Sequence, residues 1–207
     1  MIPAKPPPRH LSMLRGFHLA DFLTLGNAAC GMLAVFAVLA FVETRDVRCL
    51  LAAAALTPLA LVLDGRVARS RRRHSAMGRE LDSLADVISF GVAPAAIAYG
   101  AGMRGAWDVA ILLYFVACGV SRLARFNVTA EQLSGGADTV KYFEGTPIPS
   151  SLLLVAVVVA CAWAGRLGDA LPFGALRLGP GLLHPLALLW AVSGSLMISK
   201  TIRIPKL

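Results

Sequence analysis

Asp64, Asp82 and Asp86 fall in a single stretch, DGRVARSRRRHSAMGRELDSLAD (64–86), together with six arginines. Steps of four place Gly78, Asp82 and Asp86 at i, i+4 and i+8, one helical face with the glycine a turn below the acids. Asp64 lies on the far side of the basic turn, so the segment that ends there must run antiparallel to reach them. Carboxylates beside apolar segments are costly and mark functional sites. Converging as a group, they need cations, and hard divalent ions shared with a substrate phosphate suit oxygen ligands. Gly65 and Gly78 leave room for a ligand to approach the backbone. Ion pairs with Arg66, Arg69 and Arg79 are the competing account, in which the cluster is only structural.

The surroundings of this stretch are oil. The 207-residue chain is 57% hydrophobic and 15% charged, a balance that points to an integral membrane protein. About 20 apolar residues cross a bilayer core, and six segments approach that requirement: Phe22–Val42, Leu50–Leu63 with a helical extension to about Ser70, Met77–Ala101, Trp107–Asn127, Ser150–Gly165 and Leu182–Ser199. The fold class expected is therefore all-α, a six-helix membrane bundle (22–199) forming one domain over 1–207 with a short tail (200–207). The N-terminal segment (1–21) includes Arg9–Asp21, whose Leu11, Leu14, Phe17 and Leu19 read as a short amphipathic helix on the membrane surface.

Fifteen of the twenty lysines and arginines lie at the N-terminus, in the 64–79 turn, at 122–141 and in the tail. The other five (Arg45, Arg48, Arg104, Arg166, Arg177) fall in the alternate loops, so both termini and the acids are expected in the cytoplasm. The net charge of +8 is read as attraction to anionic lipids; no aromatic-rich basic module supports nucleic-acid binding. Arg71, Arg72 and Arg73 belong to this topological role. The four cysteines have no CxxC pairing and read as reduced packing residues, and no cleavable signal peptide is expected. His10, His18, His74 and His184 lack ligand spacing, Trp163 and Trp190 read as span or interface packing, and the sequon at Asn127 is expected to be silent.

From Asp64 the spacing is D-G-x2-A-R-x8-G-x3-D-x3-D, with Asp64, Gly65, Ala68, Arg69, Gly78, Asp82 and Asp86 in place. This resembles the signature of the CDP-alcohol phosphotransferase family of membrane enzymes. The segments HLADFLTLGN, GRELDSLADVISFGVAPA, RLARFN, YFEGTPIPS and MISKTIRIPK extend the resemblance along most of the chain, toward the family's serine-using members. One position departs from the pattern. The family has another aspartate three residues before Asp64, a ligand of both metal ions, and here that residue is Leu61.

The resemblance implies CDP-diacylglycerol and L-serine as substrates, and two divalent ions, Mg2+ or Mn2+, or a single well-held ion given Leu61. It further implies a homodimer with one site per protomer. Asp64, Asp82 and Asp86 would be metal ligands, with Asp86 also the general base. Thr24, Asn27, Gly65, Ala68, Arg69, Ser75 and Gly78 would line the CDP-lipid site; Thr24 and Asn27 read equally well as interhelical hydrogen-bonding residues. The carboxylate of serine needs a cation, which Arg122 or Arg125 can supply bidentately, and Glu144 can hold the ammonium. Both arginines also fit a lipid or topology role. Other alcohols (inositol, glycerol phosphate, choline) and an archaeal lipid remain open, as does a non-catalytic homologue, which Leu61 favours. A transporter is the weakest reading, because no paired broken helices lie near mid-membrane.

Overall fold

Helix α1 (Leu19–Thr44) turns Phe22, Leu33, Phe36 and Leu39 outward, each more than half exposed, while Thr24, Asn27, Ala34 and Val38 are buried. A helix with oil outside and amides and hydroxyls inside is built for lipid, where polar groups must find partners within the protein. The computed structural model describes residues 19–70, 76–133, 142–199 and 203–205, with the side chains of 19, 64, 66–70, 76, 129–133, 142–144 and 203–205 left outside the description. The expected surface helix lies outside the described residues except for Leu19–Asp21, which already form the first turn of α1.

A tight turn reverses the chain at Arg45, whose φ is 59°. Asp46 then accepts from the Arg48 N–H at 2.9 Å and caps α2 (Val47–Ser70), as an N-cap aspartate does. Helices α1 and α2 pack together more extensively than any other pair. Pro58 sits within α2 and cannot donate to the carbonyl of Ala54. The hydroxyl of the buried Thr57 takes that carbonyl instead, at 2.9 Å.

The third apolar stretch is not one uniform helix. It comprises α3 (Ala76–Asp86), a π-helical segment (Val87–Val92) and α4 (Ala93–Ala101). Helix α5 (Ala106–Leu133) follows. Strand β1 (Tyr142–Glu144) and a 3-10 turn (Ile148–Ser151) lead into α6 (Leu152–Trp163). Strands β2 (Leu176–Leu178) and β3 (Gly181–Leu183) come next, then a 3-10 turn (Pro185–Ala187), α7 (Leu188–Ile198) and β4 (Arg203–Pro205). Among the described residues, three stretches are long and apolar enough to span a membrane: Ala20–Thr44, Met77–Ala101 and Ala106–Val128. Val47–Leu63, Ile148–Trp163 and Pro185–Ile198 are apolar but shorter.

The helices fit the all-α expectation, and among the described residues two short antiparallel ribbons accompany them: β1 with β4, and β2 with β3. The second moves the start of the sixth apolar helix. Leu182 and Leu183, expected inside it, pair with Arg177 and Leu176, and helical structure begins only at Pro185, whose fixed φ suits a helix start. This ribbon sits over the beginning of α5, where the indole N–H of Trp107 donates to the carbonyl of Leu178 at 2.9 Å. The core between the helices is closed by the fully buried Leu50, Phe90, Ile97, Phe115 and Trp190, and three of the four free cysteines are buried with it. Trp163 instead is 78% exposed.

Candidate active site

Helix α3 carries Gly78, Asp82 and Asp86 within one continuous α-helical segment, so the expected common face exists. Gly78 is buried, and Asp82 and Asp86 are half-buried. One oxygen of Asp82, Oδ1, is buried without a hydrogen-bond partner. A buried carboxylate oxygen left in that state costs about 1–3 kcal/mol or more unless something positive meets it.

The opposing wall is α1. Asn27, fully buried, donates through Nδ2 to Oδ1 of Asp86 at 3.3 Å, while its own Oδ1 has no partner. Its main-chain carbonyl accepts from the hydroxyl of Ser89 at 2.8 Å. Gly31, one turn further along α1, lets the two elements meet: a Cβ there would lie 2.6 Å from Ser89 Oγ and 2.8 Å from Ser89 Cα. Thr24 is also fully buried, and among its contacts its hydroxyl donates to the Ala20 carbonyl at 3.2 Å, one turn back in the same helix.

Helix α5 supplies the third wall. Arg122 is half-buried, within electrostatic reach of Asp86, and its Nε is buried without a partner. One turn on, Asn127 donates to Ser83 Oγ at 3.0 Å and to Glu80 Oε2 at 3.2 Å, tying α5 to α3 beside the acids. Arg125 takes another direction. Its guanidinium donates to the carbonyl of Ile198 at 3.4 Å, a last-turn carbonyl of α7 that needs a donor. The Thr146 N–H donates to the Leu196 carbonyl at 3.2 Å, so the chain just beyond Glu144 reaches the same helix end. Gly145, at φ 74°, permits that approach, since a side chain there would meet the Met197 carbonyl. The structure thus brings Asn27, Asp82, Asp86 and Arg122 to neighbouring walls, and sets Arg125 against α7.

Gly65 lies near the end of α2 and is half-buried. Asp64, Ala68, Arg69, Ser75 and the side chain of Glu144 lie outside the described side chains, as do Arg66 and Arg69 of the ion-pair account. Among the described residues no three His, Cys, Asp or Glu side chains are gathered as a metal cluster; Asp64, the third acid, is not among them. Leu61 is half-buried and packs against the apolar core. The donor set that is described, carboxylate oxygen with one buried oxygen unpartnered, fits a hard divalent cation.

Sequence reasoning passed over Ser89, the Asn127–Ser83–Glu80 bonds, and Thr146, whose hydroxyl is buried without a partner. It also missed a buried pair far along the chain, His184 with Asp108. His184 Nδ1 lies 2.6 Å from Asp108 Oδ2, and the main-chain N–H groups of His184 and Gly105 donate to the same carboxylate at 2.7 Å and 2.9 Å. The available signal was an aspartate two residues into an apolar span.

Around α3 the structure thus gathers two carboxylates, a buried amide and an arginine in a helical bundle that has apolar, membrane-length helices. The profile of the CDP-alcohol phosphatidyltransferase family matches residues 17–193, and the chain belongs to that family. It is 46% identical over 203 residues to the CDP-diacylglycerol–serine O-phosphatidyltransferase of Saccharomyces cerevisiae, covering 95% of this chain and 74% of the yeast protein. The Bacillus subtilis protein of the same name is 34% identical over 134 residues, 64% of this chain and 70% of that protein. The archaetidylserine synthase of Methanothermobacter thermautotrophicus is 38% identical over 140 residues, 66% of this chain and 55% of that protein.

Proposed function

We propose that the chain transfers the phosphatidyl group of CDP-diacylglycerol to the hydroxyl of L-serine and releases CMP. The observation that carries this reading is the likeness, through nearly the whole chain, to a yeast enzyme named for that reaction. It is joined to a motif whose last three positions share one face of α3.

In this reaction the serine hydroxyl oxygen attacks the phosphorus that bears diacylglycerol. The bond from that phosphorus to the bridging oxygen breaks, and CMP departs with the electron pair. Asp86 takes the hydroxyl proton, a role that requires it to be held within hydrogen-bond reach of the nucleophile. Arg122 would meet the carboxylate of serine or the charge on phosphate, a role supported by its buried and unpartnered Nε. Asp64, Asp82 and Asp86 would hold a divalent cation, Mg2+ or Mn2+. When bound, such an ion neutralises the pyrophosphate and the charge growing on the leaving phosphate. With Leu61 in place of the family's first acid, we expect one well-held ion rather than two.

The proposal includes a bundle of six crossings with both termini and the acids in the cytoplasm, a surface helix before α1, and a homodimer. Ile148–Trp163 rises only about 24 Å as a helix against roughly 30 Å of hydrocarbon. Such a crossing draws the bilayer thin or leans on its neighbours.

A second reading, a non-catalytic homologue, starts from Leu61, an apolar residue packed against the core that brings no oxygen. The deciding experiment is CMP release by the purified full chain with CDP-diacylglycerol, varying the alcohol and the metal. Serine-dependent release supports the proposal; release with another alcohol alone replaces its acceptor, and none with any alcohol favours the second reading.

A further inference from the structure

Asp86 is the last residue of α3, and the π-helical segment begins at the next position. The change of winding sends the following residues to a different face, and single π turns gather at functional sites. What holds the Asp86 side chain at this junction is therefore a question of its neighbours. Asn27 reaches it across from α1, at 3.3 Å from Nδ2 to Oδ1. A carboxylate only accepts, so it is the amide nitrogen of Asn27 that faces it.

Asn27 is itself held by the segment that follows Asp86. Ser89, fully buried three residues further on, donates to the main-chain carbonyl of Asn27 at 2.8 Å. Gly31 lets α1 and the π turn close to backbone contact at that point. The contacts form a loop: Asp86 to the Asn27 side chain, through the Asn27 backbone to Ser89, and along three residues back to Asp86. An amide in this place orients a carboxylate without cancelling its charge, as lysine or arginine would. The side-chain nitrogen of Asn27 is spent on Asp86, while its Oδ1 has no protein partner.

We infer that Asn27 is a positioning residue for Asp86 and that Ser89 acts through it; this rests on the proposed role of Asp86 as the acceptor of the serine proton. It differs from the expectation that Asn27 binds the nucleotide. A group held about an ångström out of line loses roughly 100-fold in rate.

The test measures kcat and the apparent KM for CDP-diacylglycerol in mixed micelles, with calorimetric CDP binding alongside. Asn27→Ala should lower kcat by roughly 10–100-fold and leave CDP binding unchanged. Ser89→Ala should lower kcat by less, and the double variant should be no slower than Asn27→Ala alone, because residues acting as one unit are not additive. Weakened CDP binding with kcat intact makes Asn27 a nucleotide contact and overturns the inference, as do additive losses in kcat. If Asn27→Ala fails to fold, Ser89→Ala decides alone: a lower kcat with CDP binding intact supports the inference, and an unchanged kcat overturns it. A parent inert with every alcohol fails the proposed function instead. The loop is then read in melting temperature, where Asn27→Ala and Asp86→Ala must be non-additive and additive shifts overturn the inference.

Discussion

Asp108 and His184 stand 76 positions apart in the chain and meet at 2.6 Å, with the carboxylate fully buried at the start of α5. Three donors converge on it: the ring and main-chain N–H of His184 and the main-chain N–H of Gly105. Asp108→Ala leaves these donors buried without a partner and should cost about 1–3 kcal/mol for each one not satisfied again. Asp108→Asn keeps an accepting oxygen and should lose less. Thermal unfolding in detergent checks both; an alanine variant that melts with the parent refutes the pair's structural role. Activity per folded molecule should not change.

The unpartnered Oδ1 of Asp82 sets the second expectation. If a divalent cation completes that oxygen, EDTA should abolish CDP binding, and Mg2+ or Mn2+ should restore it. Asp82→Asn should weaken cation-dependent binding at least roughly tenfold, the lower end of what disturbing a metal's surroundings costs. Isothermal calorimetry reads the result. CDP binding that survives chelation would favour ion pairing as the cluster's purpose.

Arg122 and Arg125 were equivalent in the sequence and are separated by their partners. Arg125 caps a carbonyl of α7, so Arg125→Ala should lower the melting temperature and affect both substrates alike. Arg122→Ala should raise the serine requirement more than the CDP-diacylglycerol requirement, by an amount worth about 2–5 kcal/mol if a buried charged contact is lost. Steady-state kinetics with each substrate varied separates the two cases, and equal effects from Arg122→Ala would return it to a folding role.

Leu61 offers no oxygen and packs on the core. Leu61→Asp should raise serine-dependent CMP release by roughly 100-fold, the scale for bringing a catalytic group into line. It should also lower stability, because the new carboxylate is half-buried. A parent that is already fast, with Leu61→Asp no faster, would show that this acid is dispensable here.

The orientation of the bundle is open to direct labelling. Single cysteines at Ser75 and at the exposed Ala106, in a background without the native four, should react from opposite sides of sealed vesicles. Reaction of both from one side would remove the proposed topology and the cytoplasmic site with it.

Much of this protein could be read from local pattern. Apolar runs predict helices because a bilayer forces backbone groups to bond within their own segment; α1 and α6 appear within three residues of their expected ends, while α5 runs on past Asn127 to Leu133. The common face of Gly78, Asp82 and Asp86 follows from helical periodicity alone, and α3 has it. The family was legible because its signature is compressed into 23 residues.

Long-range geometry decided the rest. No periodicity announces that a π turn starts after Asp86, since an i→i+5 bond leaves no distinct residue pattern in so short a run. Nor does spacing show that Leu182 and Leu183 pair in a ribbon instead of opening a helix; short apolar runs suit either state until a partner strand is at hand. Whether Asn27 faces a nucleotide or Asp86, and which of two arginines is spent on a helix end, depends on residues 59 and 73 positions away. Hydrogen bonds are short and directional, so such partners are chosen only when packing sets the distance between helices. The sequence by itself determined which residues could carry the chemistry; the tertiary structure decided which of them are held by one another.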